Sequence, residues 1–361
     1  MAGNHARRAR WRADTAGSTP ETPPRRLHIA HPNPCHPMNN PPSAESQAAT
    51  LLQTLRAELS KALIGQADLI DEVLIGLVSG AHVLLEGVPG LGKTLLVKAL
   101  ARACAGQFGR IQFTPDLMPS DVVGHTFFDM ASGQFITRRG PVFAHWLLAD
   151  EINRAPAKTQ AALLEVMQEN QVTLDGTALP LPRPFMVLAT QNPIEQEGTY
   201  PLPEAQLDRF LLKIRIDYPS LEDELRLTRQ VTQGRTGGDL DVDAVATVLT
   251  PEQVLGLQRA AAAVAVDERV LAYAVAIVRA TRDDPRLALG SGPRGGIALV
   301  RAGRARAVLA GCGYATPDDI KAVALPALRH RVMPAPEADI EGLTADDVLR
   351  ALLEYVPAPR L

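Results

Sequence analysis

The chain has 361 residues, of which 46% are hydrophobic and 4% aromatic, and its formal net charge is −3. This length favours two domains, and the hydrophobic share suffices for a core built mainly from aliphatic side chains. The slightly negative charge argues against a general polyanion binder. No apolar run approaches the length that spans a bilayer, and no apolar segment follows Arg7 and Arg8 as a secretory signal requires. We therefore expect a cytoplasmic protein without membrane insertion.

The first segment, residues 1–45, is rich in proline and arginine. Such a composition buries too little apolar surface to offset the entropy lost on ordering, so we predict a disordered N-terminal arm. A basic arm that contacts nucleic acid and a translation start at Met38 are the alternatives. From Ser46 the pattern becomes helical, since Leu55, Leu59 and Leu63 fall on one stripe. A second helix is predicted for residues 67–77.

Strand-like and helix-like segments alternate from there to residue 218. Strands are predicted at 83–85, 110–113, 146–149, 185–190 and 211–216. Helices are predicted at 94–105 and 157–169, and hairpins within 116–140 and 172–179. Because strands alternate with helices, we predict a mostly parallel sheet with helices on both faces, which is an α/β fold.

A glycine-rich segment follows the first of these strands directly. It reads G-x-x-x-x-G-K-T and consists of Gly87, Val88, Pro89, Gly90, Leu91, Gly92, Lys93 and Thr94. Between a strand and a helix, this pattern predicts a loop whose backbone N–H groups converge on phosphate, aided by the helix N-terminus. Lys93 would reach the outer phosphates of a nucleotide, and the Thr94 hydroxyl would ligate Mg²⁺. A glycine-rich turn with a surface lysine is the alternative.

Two acidic residues, Asp150 and Glu151, end the buried strand at 146–149. Parallel strands bring their carboxyl ends to one edge of a sheet, so these carboxylates are expected to face the phosphates. Asp150 is predicted to support Mg²⁺, and Glu151 to polarise the attacking water. Asn192 ends the next buried strand and is a candidate for a hydrogen bond to the γ-phosphate or to that water. A helix-capping acid pair and a turn asparagine before Pro193 are the alternatives.

Two arginines are further candidates for the site. Arg209 is predicted to act in trans on the nucleotide of a neighbouring subunit, where it would neutralise charge that develops on the transferred phosphoryl group. Arg294 begins a helix and is a candidate to clamp the γ-phosphate. A surface arginine and a simple turn are the respective alternatives. Gly295 and Gly296 are poor helix formers, which weakens the prediction for Arg294.

After Pro219 the strand pattern stops. Thr250, Thr316 and Thr344 are each followed, three residues later, by a side chain that is able to accept a hydrogen bond from the backbone N–H of the threonine. This pattern predicts three helix starts. The expected organisation is therefore an arm at 1–45, an α/β core at 46–218 and an all-helical second domain at 219–361.

At this point several segments resemble the MoxR-type AAA+ ATPases. Besides the phosphate loop, they are Ile111–Asp121, Gly140–Phe143, Leu148–Ala155, Thr159–Met167, Ala189–Pro193 and Gly198–Phe210. The resemblance implies an ATP- and Mg²⁺-dependent P-loop core, a helical lid and a homo-oligomeric ring, with a hexamer expected. It also implies that residues 116–140 form an insertion in helix 2.

The resemblance further implies a role for each candidate residue. It assigns Lys93 and Thr94 to Walker A, Asp150 and Glu151 to Walker B, Asn192 to sensor 1, Arg209 to the arginine finger and Arg294 to sensor 2. It places Gly65 and Gln66 where the family meets the adenine.

For the activity, the resemblance implies ATP hydrolysis that drives remodelling or maturation of a protein complex, alongside a von Willebrand A-domain partner. A nucleic-acid motor and a slow nucleotide-gated scaffold are the alternatives. The mild acidity and the lack of an appended DNA-binding module argue against the first. The presence of both Glu151 and Arg209 argues against the second. The client, the partner and the stoichiometry stay open.

Overall fold

The computed structural model describes residues 44–88, 90–192, 199–232 and 242–360. The predicted arm lies outside the described residues except for its last two positions, and so does Pro89 of the glycine-rich loop. The described residues belong to one compact unit. The domain boundary at 218/219 therefore stays a prediction.

The N-terminal part of the chain contains the long helices and the sheet strands that the hydrophobic periodicity of the sequence predicts. Its helices are α1 (Ala44–Ala62), α2 (Ala67–Val78), α3 (Lys93–Ala103), α4 (Pro119–Val123), α5 (Ala157–Glu169), α6 (Glu204–Leu207) and α7 (Leu221–Thr232). Its strands are β1 (Val83–Glu86), β2 (Phe108–Gln112), β3 (Gly124–Asp129), β4 (Gln134–Arg139), β5 (Trp146–Asp150), β6 (Gln171–Leu174), β7 (Thr177–Pro180), β8 (Met186–Gln191) and β9 (Leu212–Arg215).

Five of these strands form one sheet in the order β2-β5-β8-β1-β9. All neighbours in it are parallel, so the predicted parallel sheet is confirmed. Because the order differs from the chain order, β1 lies between β8 and β9, and the carboxyl end of β1 is flanked by both. The two predicted hairpins are present as the antiparallel pairs β3–β4 and β6–β7.

Hydrophobic cores cover both faces of the sheet. Val83 and Leu85 of β1 belong to one buried cluster, which includes Leu96 of α3. Leu84, between them, belongs to a second cluster with Leu163 of α5. Successive residues of a strand point to opposite faces, so the central strands must be apolar at every position. The prediction of helices on both faces is confirmed.

The C-terminal part is mainly helical. Its helices are α8 (Pro251–Ala263), α9 (Glu268–Asp283), α10 (Pro293–Leu309), α11 (Pro317–Leu328), α12 (Pro336–Ile340) and α13 (Ala345–Tyr355). Two short strand pairs accompany them: β10 (Ala265–Val266) with β12 (Tyr314–Ala315), and β11 (Leu287–Leu289) with β13 (Met333–Pro334). Strands of two or three residues are too short for periodicity to reveal.

The three predicted helix starts in this part are confirmed. Thr250, Thr316 and Thr344 are the N-caps of α8, α11 and α13, and each side chain accepts a hydrogen bond from the backbone N–H three residues later. Each of those residues returns a bond to the cap, so all three are capping boxes.

Glu72 of α2 should make stability depend on pH. Burial raises the pKa of Glu72 to about 7; Asp68, Asp71 and Asp346 also raise it, and Arg329 opposes them. Since the folded-state pKa lies above the unfolded value, the stability contribution is complete below about pH 4.5 and is lost as the pH rises through 7. We expect Glu72→Gln to increase the free energy of unfolding more at pH 8 than at pH 5, by up to about 3 kcal/mol.

Urea unfolding of both proteins at the two pH values measures this difference. Glu165→Gln, at an exposed position of α5, is the control and should change the free energy of unfolding by less than about 0.5 kcal/mol at either pH. An equal effect of Glu72→Gln at pH 5 and pH 8 would contradict the prediction.

Candidate nucleotide-binding site

The glycine-rich loop joins the end of β1 to the start of α3, as predicted. Gly90 and Gly92 have φ values of +88° and +78°, a region that residues with a side chain rarely adopt. A Cβ atom at Gly87 would lie 2.8 Å from the carbonyl oxygen of Ile216, just after β9. Glycine is therefore required at Gly87 because the chain passes close to β9, and at the two later positions because of their backbone conformation.

Lys93 lies at the first position of α3 and folds back over the loop. Its ammonium group donates a hydrogen bond to the carbonyl of Gly87. Burial lowers the pKa of Lys93, while the negative charges of Asp150, Glu151 and Glu86 act in the opposite direction. Because β1 and β5 both pair in parallel with β8, the loop that carries Lys93 and the acid pair that ends β5 follow the same edge of the sheet.

Asp150, the last residue of β5, is oriented by two neighbours. The Thr190 hydroxyl of β8 donates to Asp150 Oδ1 (2.7 Å), and Arg110 Nη2 of β2 lies 2.8 Å from Asp150 Oδ2. The same Thr190 oxygen accepts a hydrogen bond from the Glu151 N–H (2.8 Å). Thr190 thus fixes both acids. The sequence reasoning gave it no role, although a hydroxyl in an otherwise apolar strand was a signal.

Glu151 has an unusual backbone conformation, with φ +56° and ψ +50°. This left-handed region is costly for a residue with a side chain, and such strain is common at functional sites. The Glu151 carboxylate accepts a hydrogen bond from Gln112 Nε2 (2.8 Å) and pairs with Arg154 Nε (3.2 Å). Gln112 and Arg154 were not predicted as site residues.

Asn192 follows β8 directly and is buried. Ala149 of β5 is in register with Ala189 of β8, so Asn192 lies beyond the same edge of the sheet as Asp150. Asn192 and the acid pair therefore follow neighbouring strands at the same edge of the sheet.

Of the two residues predicted to contact the adenine, Gln66 bonds to the loop and Gly65 packs against α7. Gln66 Nε2 donates to the carbonyl of Leu91 (3.1 Å), and Gln66 Oε1 is buried without a hydrogen-bond partner among the described residues. Gly65 has φ +72°, and a Cβ atom there would lie 2.5 Å from Asp223 of α7. The turn before α2, the start of α7 and the phosphate loop are thus packed together.

Thr94 and Asp150 provide a hydroxyl and a carboxylate, the oxygen ligands that Mg²⁺ prefers. Thr94 lies in the first turn of α3, half-buried. Asp150 already binds a cationic group, the guanidinium of Arg110, so this edge of the sheet accommodates positive charge. By their chemistry, Thr94 and Asp150 are the residues that would hold a magnesium ion bound together with phosphate.

Arg209 and Arg294 bond to other parts of the chain. Arg209 Nη1 donates to the carbonyl of Leu164 in α5 (2.6 Å), and Arg294 Nη1 lies 3.4 Å from Asp208 Oδ2. In the described part of the chain, neither arginine bonds to Lys93 or the acid pair. The bonds of these two arginines therefore tie them to α5 and to Asp208 rather than to the loop.

Helix α10 forms in spite of Gly295 and Gly296. A Cβ atom at Gly295 would lie 2.1 Å from the Ser291 hydroxyl and 3.0 Å from Leu328 of α11. Gly295 is therefore required by the close packing of α10, and Arg294 occupies the first turn of a regular helix as the sequence predicted.

Comparison with known families and structures agrees with this geometry. Residues 82–212 match the ATPase family associated with various cellular activities (AAA), and residues 279–352 match the AAA lid domain. The crystal structure of a candidate ATPase from Cytophaga hutchinsonii superimposes with a TM-score of 0.80 at 40% identity, covering 88% of this chain and 97% of that chain. No helix in the described ranges has the length and apolar character that a membrane span requires.

Among curated proteins, chaperone MoxR1 of Mycobacterium tuberculosis is 42% identical over 332 residues, which cover 89% of this chain and 86% of the relative. The uncharacterised protein YeaC of Bacillus subtilis is 44% identical over 301 residues, covering 83% and 92%. The protein MoxR of Methylorubrum extorquens is 32% identical over 326 residues, covering 84% and 93%.

Proposed function

Since the chain belongs to the MoxR family of AAA+ ATPases, we propose that it binds ATP and Mg²⁺ at the glycine-rich loop, hydrolyses the ATP, and uses the energy to remodel or mature a protein complex. The observation that carries the chemical part is that β1, which leads into the loop, and β5, which ends in Asp150, both pair in parallel with β8, so that the loop and the acid pair follow the same edge of the sheet. The remodelling part is supported by the similarity to a relative named as a chaperone.

The loop and α3 provide the binding groups. Lys93 exchanges its bond to the Gly87 carbonyl for the outer phosphate oxygens, and the N-terminus of α3 adds partial positive charge. Thr94 and Asp150 would hold a magnesium ion, which would supply positive charge to offset that of the phosphates. Thr190 keeps the Asp150 carboxylate in the orientation that this requires.

Glu151 accepts a proton from the attacking water. Its carboxylate is directed by Gln112 and Arg154, and its backbone N–H by Thr190. Asn192 donates a hydrogen bond to the water or to the γ-phosphate. A positioned general base of this kind contributes roughly 10²- to 10⁴-fold to a rate.

Two further arginines, Arg209 and Arg294, would add positive charge at the phosphates. We assign Arg209 to the nucleotide of a neighbouring subunit in a homo-oligomeric ring, with a hexamer expected, and Arg294 to the γ-phosphate sensed by the lid. The supporting observation for Arg209 is that its bond within the described residues is to the Leu164 carbonyl of α5, and not to Lys93 or the acid pair of its own subunit. A von Willebrand A-domain partner and a cytoplasmic location complete the proposal.

Replacement of Lys93 by alanine is expected to abolish nucleotide binding and Mg²⁺-dependent phosphate release, because the ammonium group that reaches the phosphates is lost. A fluorescent-nucleotide titration and a phosphate-release assay measure the two effects. Lys98→Ala, an exposed lysine on the same helix, is the matched control and should bind nucleotide as the wild type does. Wild-type affinity in Lys93→Ala would disprove the assignment of the loop.

A further inference from the structure

Asp208–Leu211, the segment that carries Arg209, is held by an arginine from the distant C-terminal part of the chain. Arg331, three residues after α11, has a side chain that is only 5% exposed. Its Nε donates to Asp208 Oδ1 (2.7 Å), and its Nη2 donates to the carbonyls of Asp208 (3.2 Å) and Phe210 (2.7 Å). Its Nη1 donates to the carbonyl of Leu211 (3.1 Å). One guanidinium therefore binds the backbone on both sides of Arg209.

We call Arg331, with its bonds to Asp208, Phe210 and Leu211, the clamp. The same guanidinium is also bonded to the lid. Arg331 Nη1 also donates to the carbonyl of Ala327, in the last turn of α11. A guanidinium presents several N–H groups in a planar fork, whereas a lysine ammonium is a single point of charge. The contacts of Arg331 with Asp208, Phe210 and Leu211 therefore need an arginine, and they make the position of the Asp208–Leu211 segment depend on α11.

A second lid arginine reaches the same carboxylate. Arg294, at the start of α10, lies 3.4 Å from Asp208 Oδ2, while Arg331 occupies Oδ1. Asp208 thus pairs both with Arg294, which we assign to the γ-phosphate, and with Arg331. Asp208 precedes Arg209 directly, so a movement of either arginine acts on the residue next to Arg209.

The clamped segment also leads into the strand beside the phosphate loop. Leu211 precedes β9, which pairs with β1 along its whole length. After β9, the N–H of Ile216 donates to the carbonyl of Glu86 (2.8 Å), immediately before the loop. Arg329 holds the middle of this strand by donating to the carbonyl of Lys213 (3.1 Å). The lid therefore bonds to β9, the strand that follows Arg209 in the chain and pairs with the strand before the subunit's own phosphate loop.

From these contacts we propose that Arg331 is a positioning residue for Arg209: through Asp208 and the neighbouring carbonyls, the lid of one subunit sets the place of the arginine that this subunit presents to the nucleotide of its neighbour. The inference rests on the proposed trans role of Arg209. It makes hydrolysis in one subunit depend on the lid of the adjacent one.

The test uses mixed assemblies of two full-length variants. The donor carries Glu151→Gln, so its own site is inactive but its Arg209 is intact. The acceptor carries Arg209→Ala, so its Glu151 is intact but it lacks the arginine that it would present. In the mixture, only an acceptor site that lies next to a donor subunit has both Glu151 and Arg209. Phosphate release therefore measures hydrolysis at these sites.

Arg331→Lys is added either to the donor or to the acceptor. In the donor we expect phosphate release by the mixture to fall about tenfold to a hundredfold, because misplacement of a catalytic group by about 1 Å has effects of this size. In the acceptor we expect a change of less than about twofold, since the acceptor presents no arginine at position 209. A general folding defect would not produce this asymmetry.

Two further variants keep the result interpretable. Asp208→Asn removes the charged partner of Arg331 with little change in volume and should lower phosphate release in the donor, as Arg331→Lys does. Because Asp208 also pairs with Arg294, the two variants are compared on the donor side. It replaces Arg331→Lys if that variant fails to assemble or to bind fluorescent nucleotide. Arg286→Lys is the matched control, because Arg286 forms a two-bond pair with Asp284 inside its own segment (3.0 and 2.7 Å). It should leave the mixture unchanged on either side.

The outcomes separate this inference from the function on which it rests. A parent mixture that releases no phosphate overturns the trans role of Arg209 and the inference with it. A parent mixture that is active, but is affected equally by donor and acceptor substitutions or by neither, overturns the inference alone. Loss confined to the donor side supports both.

Discussion

Replacement of Arg209 by alanine is expected to leave ATP binding nearly unchanged and to lower turnover by about 10³- to 10⁵-fold, the range known for arginines that act in trans on a phosphoryl group. The physical reason is that the guanidinium neutralises charge that develops only in the transition state, so its loss affects the rate more than the affinity. Steady-state phosphate release and a fluorescent-nucleotide titration measure the two quantities separately.

Arg209 also has a contact in its own chain, so its folding role must be separated from its catalytic role. Loss of the hydrogen bond to the Leu164 carbonyl should cost about 1 kcal/mol of stability, which urea unfolding detects. Arg279→Ala, at an exposed position of α9, is the control and should retain turnover. Mixing Arg209→Ala with subunits that supply an intact arginine should restore phosphate release. Failure of rescue at every mixing ratio would contradict action in trans.

The second large effect is expected for Glu151→Gln, which should bind ATP and retain it unhydrolysed. Glutamine has nearly the same shape as glutamate and can still accept a hydrogen bond from Gln112, but it cannot take a proton from water. We therefore expect phosphate release to fall about 10²- to 10⁴-fold, measured in a single turnover with labelled ATP. Normal phosphate release would remove Glu151 from its role as the base.

Because it should stay in the ATP-bound state, Glu151→Gln also provides a way to identify the client. Affinity capture with this variant in ATP and Mg²⁺, followed by mass spectrometry, should retain proteins that Lys93→Ala does not, since the latter cannot bind nucleotide. Equal capture by the two variants would contradict nucleotide-dependent client binding. Stimulation of hydrolysis by DNA would instead favour the nucleic-acid motor.

Local features of the chain could be predicted from the sequence because their signals lie within a few residues. The capping boxes at Thr250, Thr316 and Thr344 and the helix at 157–169 match the structure. Boundaries shifted by a few residues where neighbouring strands extend the pairing: β2 begins at Phe108 rather than Arg110 because Phe108 pairs with Trp146.

The candidate site was predicted in part. The loop, Asp150, Glu151 and Asn192 could be found because they follow apolar strands whose carboxyl ends meet at one edge of a parallel sheet. Thr190, which orients both acids, went unassigned because its role depends on which strands are neighbours. That order, β2-β5-β8-β1-β9, is not written in the spacing of the residues.

What the sequence determined by itself is therefore the place of the glycine-rich loop and of the acid pair, together with the strands and helices that carry them, because these depend on short-range pattern and on residue type. What only the tertiary structure decided is which of these elements contact one another over long distances in sequence. Arg331 and Asp208 are 123 residues apart in sequence, and neither belongs to a motif that predicts the other. They meet because α11 packs beside β9, and a contact of that kind follows from the packing of whole elements against a common core.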